Sequence, residues 1–252
     1  MAVTRGRSAT ATLPVPRTAT AFKFLAGEAF RAPNTLELFI THPSAALLSN
    51  PSLDPERIRS VEAIWQQRLG PVATTVSVYH NEIQDLVDLV QVQMPDSLRS
   101  YGTLIFQQQN VENVRARGVD VEARMVLPGG IMSRIGYGVS RAFDRDTGTR
   151  VVNSPDHQLR IAASSDWPGW GTLGINARAE SGRRTLFGQE TDPMTVVDFT
   201  ATSRPFMDHL TVQLLARNIF DTTYPLPAGP QHVQSSIPQP SRSLSLRGEV
   251  RW

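Results

Sequence analysis

The sequence predicts an all-β protein, with antiparallel strands that form the wall of a transmembrane β-barrel. Three observations support this prediction: apolar and polar residues alternate in many short segments, Gly and Pro interrupt the chain often (17 and 18 residues), and short connections alternate with long ones. No run approaches the roughly 18 consecutive apolar residues of a membrane-spanning helix. A membrane-spanning strand needs only about 9–11 residues, of which every second one is apolar.

The alternation is clearest at the C-terminus, because successive side chains of a strand point to opposite faces. One face carries Leu244, Leu246, Gly248, Val250 and Trp252, and the other carries Ser243, Ser245, Arg247, Glu249 and Arg251. The same pattern recurs at 119–127, 131–143, 159–167, 173–179 and 197–201. In a barrel wall, the apolar face contacts lipid and the charged face lines a wet lumen.

This alternation predicts strands near 19–29, 56–69, 72–81, 83–91, 102–109, 116–127, 131–143, 156–167, 171–182, 195–204, 209–217 and 241–252. The segments 83–91 and 102–109 could instead be loop or an extra-membrane hairpin, and 83–90 could form a helical turn. We expect an unstructured or partial N-terminal segment at 1–18, and barrel strands over 19–252.

The connections between these strands differ in length in a regular way. Short turns are predicted at 127–130, 166–171 and 204–208, and long loops at 33–55, 91–102, 144–155, 182–193 and 221–240. Outer-membrane barrels have short periplasmic turns and longer extracellular loops, so this alternation favours such a barrel.

Composition excludes several classes of protein. The chain has no cysteine, so it contains no disulfide, thiolate metal site or cysteine nucleophile. Its net charge of +2 and scattered arginines do not favour nucleic-acid binding. The N-terminus lacks the 7–15-residue apolar segment of a signal peptide. Because an outer-membrane protein must be exported, we expect this chain to be a fragment of a longer precursor.

Seven local motifs occur in a fixed order between residues 20 and 252. They are FRAPN at 30–34 with ELF at 37–39, NPSLDPE at 50–56 with SVE at 60–62, VYHN within 76–86, Asn110 with RGVDVE at 117–122, NSPDH at 153–157, RNIFDTTY at 217–224, and PSRS at 240–243 before the terminal Trp252. Together they resemble the C-terminal strands of TonB-dependent outer-membrane receptors of the siderophore-receptor type.

The resemblance implies a barrel of about 22 strands, to which this chain would contribute about 10–12 strands. It implies TonB-dependent uptake of ferric siderophores or similar nutrients across the outer membrane of a Gram-negative bacterium. The implied partners are the lipid bilayer with its lipopolysaccharide, the barrel-assembly machinery, and a ferric chelate or other small nutrient. TonB would act only through a plug domain that we do not find in this chain. Trp252 matches the terminal aromatic residue that the assembly machinery reads.

Candidate binding residues lie on the predicted long loops. Arg183 and Arg184 could meet an anionic chelate, and His232 could contribute to the same surface, although scattered surface arginines are commoner than binding ones. Asn218 and Tyr224 suit a structural turn better than a ligand site. We expect no metal site and no cofactor.

Catalysis has little support in the sequence. The pairs Asp156–His157 and Asp208–His209 are neighbours on strands, so their side chains point to opposite faces. We therefore predict that the chain is not an enzyme.

Two alternatives remain: a complete small outer-membrane barrel acting as enzyme or adhesin, and a soluble β-sandwich binding module. Small residues on the apolar faces disfavour a sandwich core: Ala163, Ala177, Ala179, Ala201 and Gly248. A mid-barrel motif near the first strand disfavours a complete small barrel. We further expect that the isolated chain cannot act as a transporter, because a partial wall leaves unpaired strand edges in lipid.

Overall fold

The computed structural model describes residues 3–15, 18–42, 47–93, 105–207, 209–229 and 232–251. The strands are β1 (Val3–Val15), β2 (Thr18–Arg31), β3 (Leu47–Leu48), β4 (Glu56–Leu69), β5 (Val72–Val92), β6 (Ile105–Leu127), β7 (Ile131–Asp144), β8 (His157–Trp167), β9 (Gly171–Glu180), β10 (Met194–Ser203), β11 (Leu210–Arg217), β12 (Pro225–Pro227), β13 (Ser236–Pro238) and β14 (Ser243–Val250). One short helix, α1, spans Thr35–Phe39.

The described residues form a 12-stranded sheet in the order β1-β2-β4-β5-β6-β7-β8-β9-β10-β11-β14. Along this path each strand pairs with the next one in sequence, apart from the short strands β3, β12 and β13. Every pairing along this path is antiparallel. β3 pairs with β6 off this path, and β12 and β13 form a small hairpin of their own. The all-β, antiparallel barrel-strand prediction is confirmed.

Cross-strand register gives the sheet one apolar face and one polar face. Val121 lies opposite Val76 and Tyr137 on the apolar face. Glu122 lies opposite Thr75 and Gly136 on the polar face.

No second layer covers the apolar face where the structure describes it. Phe24 is 58% exposed, Leu244 71% and Leu246 75%. A β-sandwich needs two sheets packed face to face. The described residues form one large sheet and a small hairpin, so the sandwich hypothesis does not match the fold.

β5 and β6 differ from the sequence expectation. Four short strands were predicted at 72–81, 83–91, 102–109 and 116–127, but the structure has two long ones. A register shift interrupts their pairing between Ile83 and Val87, and Asp85 has a positive φ of 56°. The alternation changes phase at this irregularity, which hides the continuity of each strand in the sequence. Residues 83–90 therefore form strand rather than a helical turn, and the outer parts of β5 and β6 form an extended hairpin.

The N-terminal segment also differs from expectation. Most of residues 1–18, expected to be unstructured or partial, lies in β1, which pairs with β2 from Val3 opposite Phe30 to Val15 opposite Thr18. These residues form a strand because pairing with β2 satisfies their backbone hydrogen bonds. Their Thr-, Ala- and Arg-rich sequence has no clear apolar alternation, so the sequence alone did not predict the strand. The division of the chain at residue 18 stays a prediction.

The two ends of the sheet have different connections. At one end, tight turns join β4 to β5, β6 to β7 and β8 to β9, and they use glycines with positive φ: Gly70, Gly129, Gly130 and Gly169. At the other end lie the long loops, which carry α1, β3 and the β12–β13 hairpin. No helix within the described ranges is long and apolar enough to cross a membrane.

Candidate functional site: the loop rim and the polar face

Arg31 organises the rim from which the first long loop emerges. Its guanidinium Nε donates to Glu56 Oε2 at 2.6 Å and its Nη1 donates to Glu37 Oε1 at 3.0 Å. Glu56 also accepts from the backbone N–H of Val87 at 2.9 Å. The hydrogen bonds from Arg31 hold the pKa of the Glu56 carboxyl below its ordinary value, against the opposing effect of burial.

Two asparagines fasten the same loop to β6. The Asn110 side chain accepts from the Asp54 backbone N–H at 2.9 Å and donates to the Asp54 carbonyl at 3.0 Å. It also donates to the carbonyl of Asp85, at the irregularity of β5, at 2.6 Å. Asn50 donates from its amide to the carbonyl of Gln108 at 2.9 Å.

These contacts explain several sequence motifs in physical terms. Arg31 belongs to FRAPN, Glu37 to ELF and Glu56 to NPSLDPE, and the structure brings all three together. Glu37 also closes a capping box with Asn34 at the start of α1. These motif residues therefore build the loop rim, and the sequence alone did not show that they contact one another.

Arg183 and Arg184 lie on the β9–β10 loop and have different contacts. The Arg183 guanidinium forms an ion pair with Glu180 and donates to Asn153 Oδ1 at 2.8 Å. Arg184 donates only to the carbonyl of Arg150, at 3.1 Å, among the residues that the structure describes. Arg183 thus ties its loop to the β7–β8 loop, while the charge of Arg184 has no carboxylate partner there.

Arg150 makes the second link between these two loops. Its guanidinium contacts Asp156 at 2.9 Å and Glu190 at 2.5 Å. The β7–β8 and β9–β10 loops are therefore held together by charge-assisted hydrogen bonds, which favour a single arrangement of the rim.

His232 lies on the last long loop, and its side chain is exposed. Nothing in the described residues brings it into contact with Arg183 or Arg184. The base of this loop is fixed by Asn218, which accepts from the Thr222 N–H at 2.9 Å and donates to the Thr222 carbonyl at 2.9 Å. Tyr224 is buried beside Met194 and Val196, and its hydroxyl accepts from Arg178 at 2.7 Å.

The polar face of the sheet forms a recess of about 790 Å³. Its lining is rich in charged and amide side chains: Asp120, Glu122, Arg124, Arg134, Gln158, Arg160, Asn176, Arg178 and Asp198. Glu122 accepts from Arg124 Nε at 2.6 Å and from Arg134 Nε at 2.7 Å. The alternation in the sequence predicts that several of these charges share one face. Which of them pair across strands is known only from the register in the structure.

In the part of the chain that the structure describes, His157 and His209 contact groups other than a carboxylate. His157 lies on the apolar face, and its Nδ1 is 2.8 Å from the Tyr137 hydroxyl. His209 Nδ1 contacts the carbonyl of Arg251 at 2.9 Å. Asp208 and the terminal Trp252 lie outside the described residues. Within the described ranges, no group of three or more ligating side chains is close enough to hold a metal ion.

Comparisons with known proteins agree on one family. The family described as "TonB dependent receptor-like, beta-barrel" matches residues 15–219. Among curated proteins, the chain is 23% identical over 198 residues to a vitamin B12 transporter of Vibrio vulnificus, covering 79% of this chain and 30% of that protein. It is 21% identical over 226 residues to a probable hemoglobin- and hemoglobin-haptoglobin-binding protein of Haemophilus influenzae, covering 77% of this chain and 22% of that protein.

Solved structures show the same fold. A copper transporter superposes with a TM-score of 0.73 at 14% identity, over 96% of this chain and 39% of that one. A ferric enterobactin receptor of Pseudomonas aeruginosa gives a TM-score of 0.73 at 15% identity, over 98% of this chain and 40% of that one. This chain therefore spans less than half of each of these proteins.

Proposed function

The chain belongs to the TonB-dependent receptor-like β-barrel family, and from this premise we propose that it forms the C-terminal part of the wall of an outer-membrane nutrient receptor. The observation that carries the proposal is the uncovered apolar face of one antiparallel sheet, with tight turns at one end and long cross-linked loops at the other. Walls of outer-membrane barrels have an apolar outer face, short turns at one end and longer loops at the other. The similar proteins are transporters and receptors, which favours this function over an enzyme or adhesin.

The proposed cargo is a ferric siderophore or a similar small nutrient. The names of the similar proteins support this class, since they bind or carry a ferric siderophore, vitamin B12, copper or hemoglobin. The recess on the polar face and the loop rim would lie along the path of such a molecule. Energy would come from TonB through a plug domain, in the manner of the family.

The loop residues Arg184 and His232 are the proposed contacts for the nutrient. Arg184 has a charge without a carboxylate partner among the described residues, and the His232 side chain is exposed. Arg183 is proposed to position the loop, because Glu180 and Asn153 already occupy its guanidinium. Trp252 is proposed as the residue that the barrel-assembly machinery recognises.

The wall also needs further strands. β1 and β14 stand at the two ends of the described sheet, and lipid does not tolerate unpaired strand edges. We therefore propose that other strands complete the barrel, and that the isolated chain does not transport. Reading several hundred codons upstream of Met1 in all three frames tests this directly: further strands, a plug and a signal peptide are expected.

The transport function is tested in cells. The gene product that contains this chain is expressed in a strain that lacks its own receptors, and accumulation of ferric enterobactin, vitamin B12 and copper is measured with and without TonB. TonB-dependent accumulation of one of these is expected. If the protein reaches the outer membrane and none of them accumulates, the proposed cargo class is wrong.

A further inference from the structure

Two arginines face each other on the apolar side of the sheet. Arg117 on β6 lies directly opposite Arg141 on β7. This pair is two residues beyond the pair Val119–Val139 on each strand, towards the long loops. Paired residues of neighbouring antiparallel strands point to the same face, so both guanidinium groups leave the sheet beside each other. Both side chains are exposed.

Neither arginine has a carboxylate partner among the described residues. Arg117 Nε donates to His80 Nδ1 at 3.2 Å, and that histidine is its register partner on β5. Glu82, a carboxylate near Arg117, is already shared by His80 at 3.4 Å and by Arg115 at 3.3 Å. Arg145 adds a further positive charge, 3.9 Å from Glu82.

Like charges directly opposite each other on a sheet are destabilising. A bound anion placed between Arg117 and Arg141 would reverse this effect, since each guanidinium can donate two parallel hydrogen bonds to phosphate oxygens. The arrangement therefore fits a phosphate better than it fits water alone.

The height of the pair on the wall indicates where the phosphate belongs. Leu127 is the last residue of β6, at the tight-turn end, and Arg117 lies ten residues before it. At ~3.4 Å per residue and a strand tilt of ~45°, this distance is about 24 Å along the membrane normal, close to the ~25 Å height of the apolar band of such barrels. The two arginines thus lie where the hydrocarbon ends and the outer headgroups begin.

We propose that Arg117 and Arg141, with His80 beside them, bind a phosphate group of an outer-leaflet glycolipid whose acyl chains lie against Val119 and Val139. The inference rests on the proposed membrane location of the chain. It deepens that proposal by assigning a lipid headgroup site to three strands of the wall. The continuity of the charged pair with the apolar face favours a lipid over a soluble anion or a protein partner.

The test compares two lipids and two double variants. The receptor that contains this chain is purified from outer membranes in detergent, and binding is counted by native mass spectrometry with diphosphorylated lipid A and with lipid A stripped of both phosphates. The test variant is Arg117→Gln with Arg141→Gln. The matched control is Arg124→Gln with Arg134→Gln, which removes a register pair of arginines from the polar face of the same two strands. Heat-modifiable migration on gels shows that each protein is folded.

We expect the unmodified protein to prefer diphosphorylated lipid A, and the test variant to lose about tenfold or more of that affinity. The control variant should bind like the unmodified protein. Equal binding of the two lipids by the unmodified protein, or test-variant affinity within about twofold of the unmodified value, overturns the inference while the receptor function stands. Absence of the protein from the outer membrane overturns both.

Discussion

Arg31 and Glu56 join the loop ends of β2 and β4 through two parallel hydrogen bonds, from Nε to Oε2 at 2.6 Å and from Nη2 to Oε1 at 2.9 Å. The Glu56 side chain is 8% exposed, while that of Arg31 is 40% exposed. Such a bidentate pair fixes the geometry of two strands as well as adding energy. It holds the root of the first long loop in place, at the loop end of β4.

Replacing Glu56 with Gln is expected to lower the free energy of unfolding by about 1–2 kcal/mol at neutral pH. The loss is modest because water reaches Arg31 and screens the ion pair. Urea unfolding in lipid vesicles measures the change. Glu28→Gln is the control, since the Glu28–Arg59 contact is 3.4 Å long and both side chains are more than half exposed. A loss for Glu28→Gln as large as that for Glu56→Gln would contradict this assignment.

The same pair predicts a pH dependence. Because the folded pKa of Glu56 is lowered, its contribution is fully present above the unfolded value, about 4.3, and is lost as pH falls through the folded value. The stability difference between the unmodified protein and Glu56→Gln should therefore stay constant from neutral pH downwards until the unfolded value is reached, and shrink below it. A difference that vanishes near neutral pH would argue against the ion pair.

Gly118 leaves room for the ring of Tyr79, which a side chain at this position would displace. It lies opposite Tyr79, and a Cβ there would be 2.7 Å from Tyr79 Cε1 and closer still to Cζ and the hydroxyl. Gly118→Ala should force the ring to another rotamer and cost about 1–3 kcal/mol, measured by urea unfolding. Gly136→Ala on the next strand is the control, because its Cβ would meet nothing nearer than 3.9 Å. Similar costs at the two positions would rule out the ring contact as the cause.

Neighbouring residues of β9 test which face meets lipid. Ala177 lies opposite Ile161 and Val197 on the apolar face, and Asn176 lies opposite Asp198 on the polar face. Ala177→Arg is expected to cost about 2–4 kcal/mol in lipid, because it places a charge near the middle of the apolar band. Asn176→Arg should cost much less. The folded fraction on heat-modifiable gels reports both, and the reverse order would mean that the faces are assigned the wrong way round.

The loop proposal predicts a loss of nutrient affinity without a loss of folding. Arg184→Ala is expected to weaken binding of an anionic ferric chelate roughly tenfold, since a charge-assisted contact is removed, and His232→Ala roughly two- to threefold. Equilibrium binding to outer-membrane preparations measures both. Arg204→Ala is the control, because Arg204 lies in the short turn at the opposite end of the sheet. If all three variants bind equally well, the loop residues have no part in recognition.

Much of the fold can be predicted from the sequence, because side chains of a barrel strand alternate between two faces and tight turns favour glycine. Strands such as β4 and β7 were predicted to within a residue of their observed bounds. The long β5 and β6 were split in two, because a register irregularity near Asp85 breaks the alternation on which the prediction depends. β1 was missed because its residues carry no clear apolar period.

The sequence by itself determined the strand class, the two chemically distinct faces, the asymmetry of the loops and the family resemblance, since each of these is a local or periodic property of the chain. Only the tertiary structure decided which residues meet. Arg31 reaches Glu56 across 25 positions, and Arg117 faces Arg141 because the β6–β7 turn fixes one register among several. Register depends on hydrogen bonding between strands, and a shift of one residue would exchange the two faces. For that reason, the contacts of the loop rim and the pairing of the two arginines could not be predicted from the sequence alone.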